Sequence, residues 1–149
     1  MIEPTEQIIG TRPFVVKRRV RWGECDPAGV AYTGNFPHYL LSAVTLFHEF
    51  LYGDEPARFR QQLDIETPCK SLTLTFDRAL WPNEFFEMHV RVGDIRNSSY
   101  DIHVQGLLAD GMSVFKGVFS PICIARSERR SIPIPKEWRS ILETAKQLQ

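Results

Sequence analysis

The apolar positions change period along the chain. In FVVKRRVRW, residues 14–22, Phe14, Val16, Val20 and Trp22 fall on one face and Lys17, Arg19 and Arg21 on the other. A period of two with β-branched and aromatic residues predicts a strand, with Arg18 the one break in its apolar face. GECDPAG follows and carries the turn chemistry of Asp, Pro and glycine. From about Asn35 the spacing becomes helical: Phe36, Leu40, Ala43, Phe47 and Leu51 share a face, while His38, Ser42, Thr45 and Glu49 line another. Pro37 fits only a first turn, where its missing N–H costs nothing, and Gly53 is a natural stop. One long helix is predicted here, and a second, shorter one over EPARFRQQL.

Beyond Pro68 the period returns to two. Leu72, Leu74 and Phe76 alternate with Thr73, Thr75 and Asp77; Phe86, Met88, Val90 and Val92 alternate with Glu87, His89 and Arg91. Tyr100, Ile102 and Val104 alternate with Asp101, His103 and Gln105. After the turn at Asp110-Gly111, MSVFKGVFSPICIA is apolar on both faces, with Val114 and Val118 on one and Phe115 and Phe119 on the other. Such a strand is buried on both sides or lies at a subunit contact. A helix over residues 135–147 closes the chain, and residues 1–12 read as a flexible lead-in.

Strand, long helix, then four consecutive strands is an α+β order. A five-stranded antiparallel sheet wrapped around one central helix is the hot-dog arrangement. It leaves edge strands that dimerisation commonly pairs, so a homodimer or homotetramer is expected. At 149 residues the chain is read as a single domain, 1–149, large enough to bury a core without metals or disulfides. Net charge is +0, which argues against a globally basic nucleic-acid binder. No apolar run reaches the ~18–20 residues of a membrane span, so no membrane partner is expected. MIEPTEQIIGTRP has an early acid and no apolar signal core, and a cytoplasmic location is the expectation. Cys25, Cys69 and Cys123 are too widely spaced for a disulfide framework or a zinc site, so no metal is expected.

Candidate chemistry concentrates before the long helix. Asp26 sits between a cysteine and a proline, where it is a turn initiator or a reactive carboxylate. Helix-start amides point outward unpaired, so a helix beginning near Thr33–Asn35 offers donors for a developing negative charge. A carboxylate on the preceding loop could face those donors with an electrophilic carbonyl between them. Cys25 is a poor nucleophile candidate, because an adjacent acid raises a thiol pKa. His38, Ser42 and Glu49 read as a solvated or interface face, and His89 and His103 as exposed or hydrogen-bonded. Arg126, Arg129 and Arg130 in ARSERR form either a solubilising loop or a phosphate-binding rim, since guanidinium forks match phosphate oxygens. Arg96, Asn97 and Ser98 in a turn could contribute similarly.

WGECDPAGVAYTGNF resembles the active-site segment of the 4-hydroxybenzoyl-CoA thioesterase family of hot-dog proteins. The family's Gly-x-x-Asp-x-x-Gly pattern is matched by Gly23-Glu24-Cys25-Asp26-Pro27-Ala28-Gly29, with Asn35-Phe36 where the family commonly has Asn and an aromatic. Thr67-Pro68, Ser71 and Phe76 look like its second strand, and Arg96 to Tyr100 like its third turn; the likeness spans roughly residues 14 to 135. The resemblance implies an acyl-CoA thioesterase that needs no cofactor beyond the coenzyme A of its substrate. Asp26 would attack the thioester carbonyl or deprotonate the attacking water, and the Thr33 backbone N–H would polarise the carbonyl oxygen. Tyr32, Leu41, Thr67, Pro68 and Cys69 would line the acyl pocket between two subunits. Arg96, Ser98, Arg129 and Arg130 would lie near the coenzyme A phosphates. Leu41 replaces a second acid that many relatives carry, which favours an aromatic or medium apolar acyl group; Ser98 stands where some relatives are basic. The competing expectations are a hot-dog hydratase or dehydratase, which would act on an enoyl thioester, and a non-catalytic acyl-thioester-binding protein.

Overall fold

The computed structural model describes residues 2–149. Six strands form one antiparallel sheet in the order β1-β2-β5-β6-β7-β4. They are β1 (Glu6–Thr11), β2 (Phe14–Arg19), β4 (Cys69–Phe76), β5 (Phe85–Ile95), β6 (Tyr100–Leu107) and β7 (Ser113–Pro121). A separate two-stranded ladder joins β3 (Ile65–Glu66) to β8 (Ile124–Ala125). The helices are α1 (Phe36–Tyr52), α2 (Pro56–Leu63) and α3 (Lys136–Leu148).

Helix α1 lies against the apolar face of the sheet, as its periodicity predicts. Phe36, Tyr39, Leu40, Ala43, Val44 and Phe47 are buried there against Val16, Met88, Val104 and Phe115. The approach is close at Gly117, where a Cβ would lie 2.2 Å from Leu40 Cδ1. Rings continue the contact: Phe36 meets Phe76, Phe115 and Tyr39 at centroid distances of 5.2, 5.7 and 5.8 Å. This is the hot-dog arrangement, with the five expected strands wrapped around the central helix.

The lead-in expected at residues 1–12 is corrected by β1, which pairs with β2 from Glu6↔Arg18 to Thr11↔Phe14 and makes the sheet six-stranded. The break at Arg18 is explained by the same strand. Its guanidinium bonds Glu24 at 2.5 Å, approaches Glu6 of β1 at 3.8 Å and stacks 4.8 Å from the Tyr39 ring centroid. A charge on the apolar row is tolerated because acids and an aromatic face surround it.

Two-faced burial of β7 has a specific cause. Gly106 pairs with Phe115 and Leu107 with Ser113, leaving Val114 as the extra residue of a β-bulge. Val114 and Phe115 are therefore both buried, whereas Val118 on the outer face is only half-buried. The strand over 69–76 keeps its alternation but not its burial. It is an edge strand, and Leu72 and Phe76 remain 36% and 48% exposed.

The closing helix α3 follows Pro135 as expected and anchors by Trp138 and Leu142, both buried. Its end is fixed on β5 like a strand residue: Val92 N–H donates to Gln149 Oε1 and Gln149 Nε2 donates to Val92 O, each at 2.8 Å. Among the described residues, no helix is long and apolar enough to cross a membrane. Nor does any group of three or more His, Cys, Asp or Glu side chains stand close enough to hold a metal ion.

Candidate active site

The GECDPAG segment is held at both ends. At its start, a short 3-10 turn (Trp22–Glu24) directs Glu24 back to the Arg21 N–H, which donates to Oε1 at 2.7 Å. The Glu24 carbonyl then accepts from the Tyr32 N–H at 2.9 Å and from Asn35 Nδ2 at 2.6 Å. At its far end Ala31 N–H donates to Leu80 O at 2.7 Å, and Cys25 pairs with Ala31 as an isolated bridge. The loop is thereby clipped to the first residues of the helix that follows it.

Between the clips lies a tight turn. Gly29 N–H donates to Asp26 O at 2.9 Å and Asp26 N–H donates to Val30 O at 3.0 Å. Gly29 has φ of +85°, which explains the glycine. The Asp26 carboxylate does serve as a turn residue, because Oδ1 accepts from the Ala28 N–H at 2.9 Å. That uses one oxygen. Among the described residues, Oδ2 has no hydrogen-bond partner, and Asp26 is only half-buried.

The candidate donors come from the helix start, one turn earlier than the α-helix itself. A 3-10 turn (Thr33–Asn35) leads directly into α1 at Phe36. Asn35 occupies the cap position but makes no side-chain cap bond; its Nδ2 donates to the Glu24 carbonyl. The Asn35 N–H is used by Tyr32 O at 2.9 Å and the Phe36 N–H by Thr33 O. Among the described residues, no acceptor meets the N–H of Thr33 or Gly34. Two amides, rather than the single one expected at Thr33, stand unpaired at the positive end of a 17-residue helix. Anions and developing oxyanions are favoured at such an end.

The remaining candidates divide by place. Tyr32 is 56% exposed, its ring folded over Gly34 beside these amides. Leu41 and Thr67 line one cavity of about 210 Å³, together with Val44, Phe119 and the charged Glu49 and Arg60. Pro68 and Cys69 are exposed where edge strand β4 begins. Asp26 lines none of the three main cavities, so within one chain the carboxylate and the Leu41 cavity stay apart. Arg96 is already engaged: it donates to Asp101 at 2.6 and 3.0 Å and to Ser99 Oγ at 2.9 Å, and this guanidinium holds the Asp101 carboxyl below its usual range. Ser98 is tied through its carbonyl to the Cys123 N–H at 2.7 Å. Arg130 pairs with Glu128 and Arg126 with Glu66, whereas Arg129 is exposed and makes no ion pair among the described residues.

Cys25 is excluded as an activated thiol, since desolvation first, and then Asp26 and Glu24, raise its pKa. Burial raises Cys123 to about 11. One polar residue escaped the sequence reading. His48 is buried on α1, its Nδ1–H donating to Val44 O at 3.0 Å and its Nε2 accepting from the Tyr100 hydroxyl at 2.7 Å. The carbonyl can only accept, which fixes this tautomer. Desolvation, its largest influence, lowers its pKa to about 4. The signal was its position four residues after Val44, in phase with the apolar face.

A long helix wrapped by an antiparallel sheet, entered through a clipped loop that carries Asp26, is the frame of the hot-dog class. The chain belongs to the thioesterase-like superfamily, whose family model matches residues 20–142. Among curated proteins, none matches this sequence. Solved structures do. A thioesterase-superfamily protein from Jannaschia sp. CCS1 is 26% identical with a TM-score of 0.81, over 97% of this chain and 98% of that one. A 1,4-dihydroxy-2-naphthoyl-CoA thioesterase from Synechocystis is 17% identical with a TM-score of 0.75, over 87% and 94%. A Staphylococcus aureus protein in complex with CoA is 14% identical with a TM-score of 0.82, over 100% and 90%. The latter two likenesses are of fold.

Proposed function

We propose that this protein hydrolyses acyl-CoA thioesters whose acyl group is aromatic or medium-length and apolar. The observation that carries the reading is the Oδ2 of Asp26, without a hydrogen-bond partner among the described residues, on a loop clipped to Tyr32 and Asn35, which flank the unpaired amides of Thr33 and Gly34. A thioester carbonyl placed between them would meet a nucleophile or general base on one side and oxyanion donors on the other. Asp26 supplies the carboxylate, and Thr33, joined by Gly34, stabilises the negative oxygen. The CoA complex and the CoA thioesterase among similar folds support the choice of thioester carrier.

The acyl group is assigned to the cavity that Leu41 lines with Thr67, Val44 and Phe119. Leu41, Val44, Pro56 and Phe119 give it an apolar side that suits an unsubstituted ring or short alkyl tail, while Glu49 and Arg60 supply charge on the rest of the lining. The cavity lies beside edge strand β4, whose Leu72 and Phe76 are exposed and whose outer edge lacks a partner strand among the described residues. Pairing of two β4 strands would cover that edge and bring the Asp26 loop of one copy toward the Leu41 cavity of the other, with Pro68 and Cys69 at the seam. Arg129, which makes no ion pair among the described residues, is the guanidinium best suited to a coenzyme A phosphate, and Arg96, Ser98 and Arg130 are the further candidates.

The test is a panel of benzoyl, phenylacetyl and C4 to C12 acyl-CoA thioesters, read by thiol release. Turnover of aryl or medium-chain members supports the proposal. Hydration of an enoyl-CoA without thiol release, or tight binding of the panel without turnover, would refute it.

A further inference from the structure

Helix α3 carries two apolar rows, and only one of them is fully buried. Trp138 and Leu142 are fully buried in the core. Ile141, Ala145 and Leu148, spaced at i, i+4 and i+7, face a separate cavity of about 330 Å³. The opposite wall is Phe14 of β2, Val90 of β5, and Phe47 and Leu51 of α1. The side chain of Gln149, bonded to both backbone groups of Val92, closes the α3 end. The volume falls at the lower end of the ~300–1,000 Å³ typical of small-molecule sites.

The charge of the lining is one-sided. Arg12, in the turn between β1 and β2, is its only charged side chain; no acidic side chain lines it, and Arg12 makes no ion pair among the described residues. Ser140 and Thr144, one turn apart on α3, add hydroxyl donors. An apolar chamber with a single free guanidinium and hydroxyls is complementary to one kind of molecule: an apolar tail carrying one carboxylate. The fork of Arg matches both carboxylate oxygens, and the tail replaces water against Phe14, Phe47 and Ile141.

We propose that this cavity binds a medium-chain monocarboxylate, with its head on Arg12 and its tail between α1 and α3. None of its residues lies in the Asp26 loop or the Leu41 cavity, so the assignment does not depend on the thioesterase reading. If that reading holds, the ligand is of the class that hydrolysis releases, and the cavity is a second, product-sensing site.

Sodium decanoate titrated calorimetrically into the full-length chain tests this. One saturable site per chain is expected, with 1-decanol at least tenfold weaker. Arg12→Gln should weaken decanoate about tenfold, as expected for loss of a charge-assisted bond. Ala145→Phe should remove binding by filling the chamber, and its thermal melt reports whether it remains folded. Asp26→Asn should bind like wild type. The proposal is overturned by absence of saturable binding, by equal affinity for decanol, by wild-type affinity in Arg12→Gln, or by loss of binding in Asp26→Asn.

Discussion

Protonation of His48 should be one of the main acid-sensitive events in this fold. The imidazole is buried among Tyr52, Tyr100, Phe119 and Trp138, with ring centroids 5.9 to 6.5 Å away. It is neutral in the folded state, with a pKa lowered from 6.5 to about 4 by desolvation. The unfolded chain therefore takes up a proton more readily than the folded one. The contribution is fully present above pH 6.5 and is lost as pH falls toward 4. With these two pKa values, linkage predicts a loss of about 2 kcal/mol between pH 7 and pH 5. His48→Gln preserves one donor for Val44 O and one acceptor for the Tyr100 hydroxyl but cannot titrate. Urea unfolding followed by circular dichroism at pH 5, 6 and 7 should show wild type losing about 2 kcal/mol more than His48→Gln over that interval. Parallel stability curves for the two proteins would refute the reasoning, since every other titrating group is common to both.

Two further outcomes test the proposed site. Phe76→Lys on the exposed edge strand should shift the protein toward monomer in light scattering, because it places a charge in the apolar strip of β4; an unchanged assembly would place the subunit contact elsewhere. Arg129→Glu should raise KM for acyl-CoA about tenfold with little change in kcat, and leave hydrolysis of the N-acetylcysteamine thioester, which lacks phosphates, unaltered; an equal loss on both substrates would remove Arg129 from phosphate binding.

Most of the fold is visible in the hydrophobic periodicity because α1, β5, β6 and β7 each have one strongly buried face. Strand β1 is not, since EQIIGT places Ile8 and Ile9 side by side, each 45% exposed, and its pairing with β2 is non-local. Arg18 makes sense only once Glu6, Glu24 and Tyr39 have come around it. The Asp26 loop is legible because its turn, its glycine and the helix start lie within a dozen residues. Local sequence does not reveal that Asn35 donates its side-chain amide to the Glu24 carbonyl, a bond that ties the loop to the start of α1. Nor does it show that Thr67 and Phe119 join Leu41 in one cavity, because those residues lie far apart along the chain.

The most direct test of the account is single-turnover thioester hydrolysis by Asp26→Asn. Asparagine keeps the oxygen that accepts the Ala28 N–H, so the turn and its clips to Tyr32 and Asn35 should remain, as checked by an unchanged melting temperature. The free carboxylate oxygen is lost. The account predicts thiol release slowed by roughly a thousandfold or more, the scale expected when a nucleophile or base is removed. Turnover within a few-fold of wild type by the folded variant would contradict it.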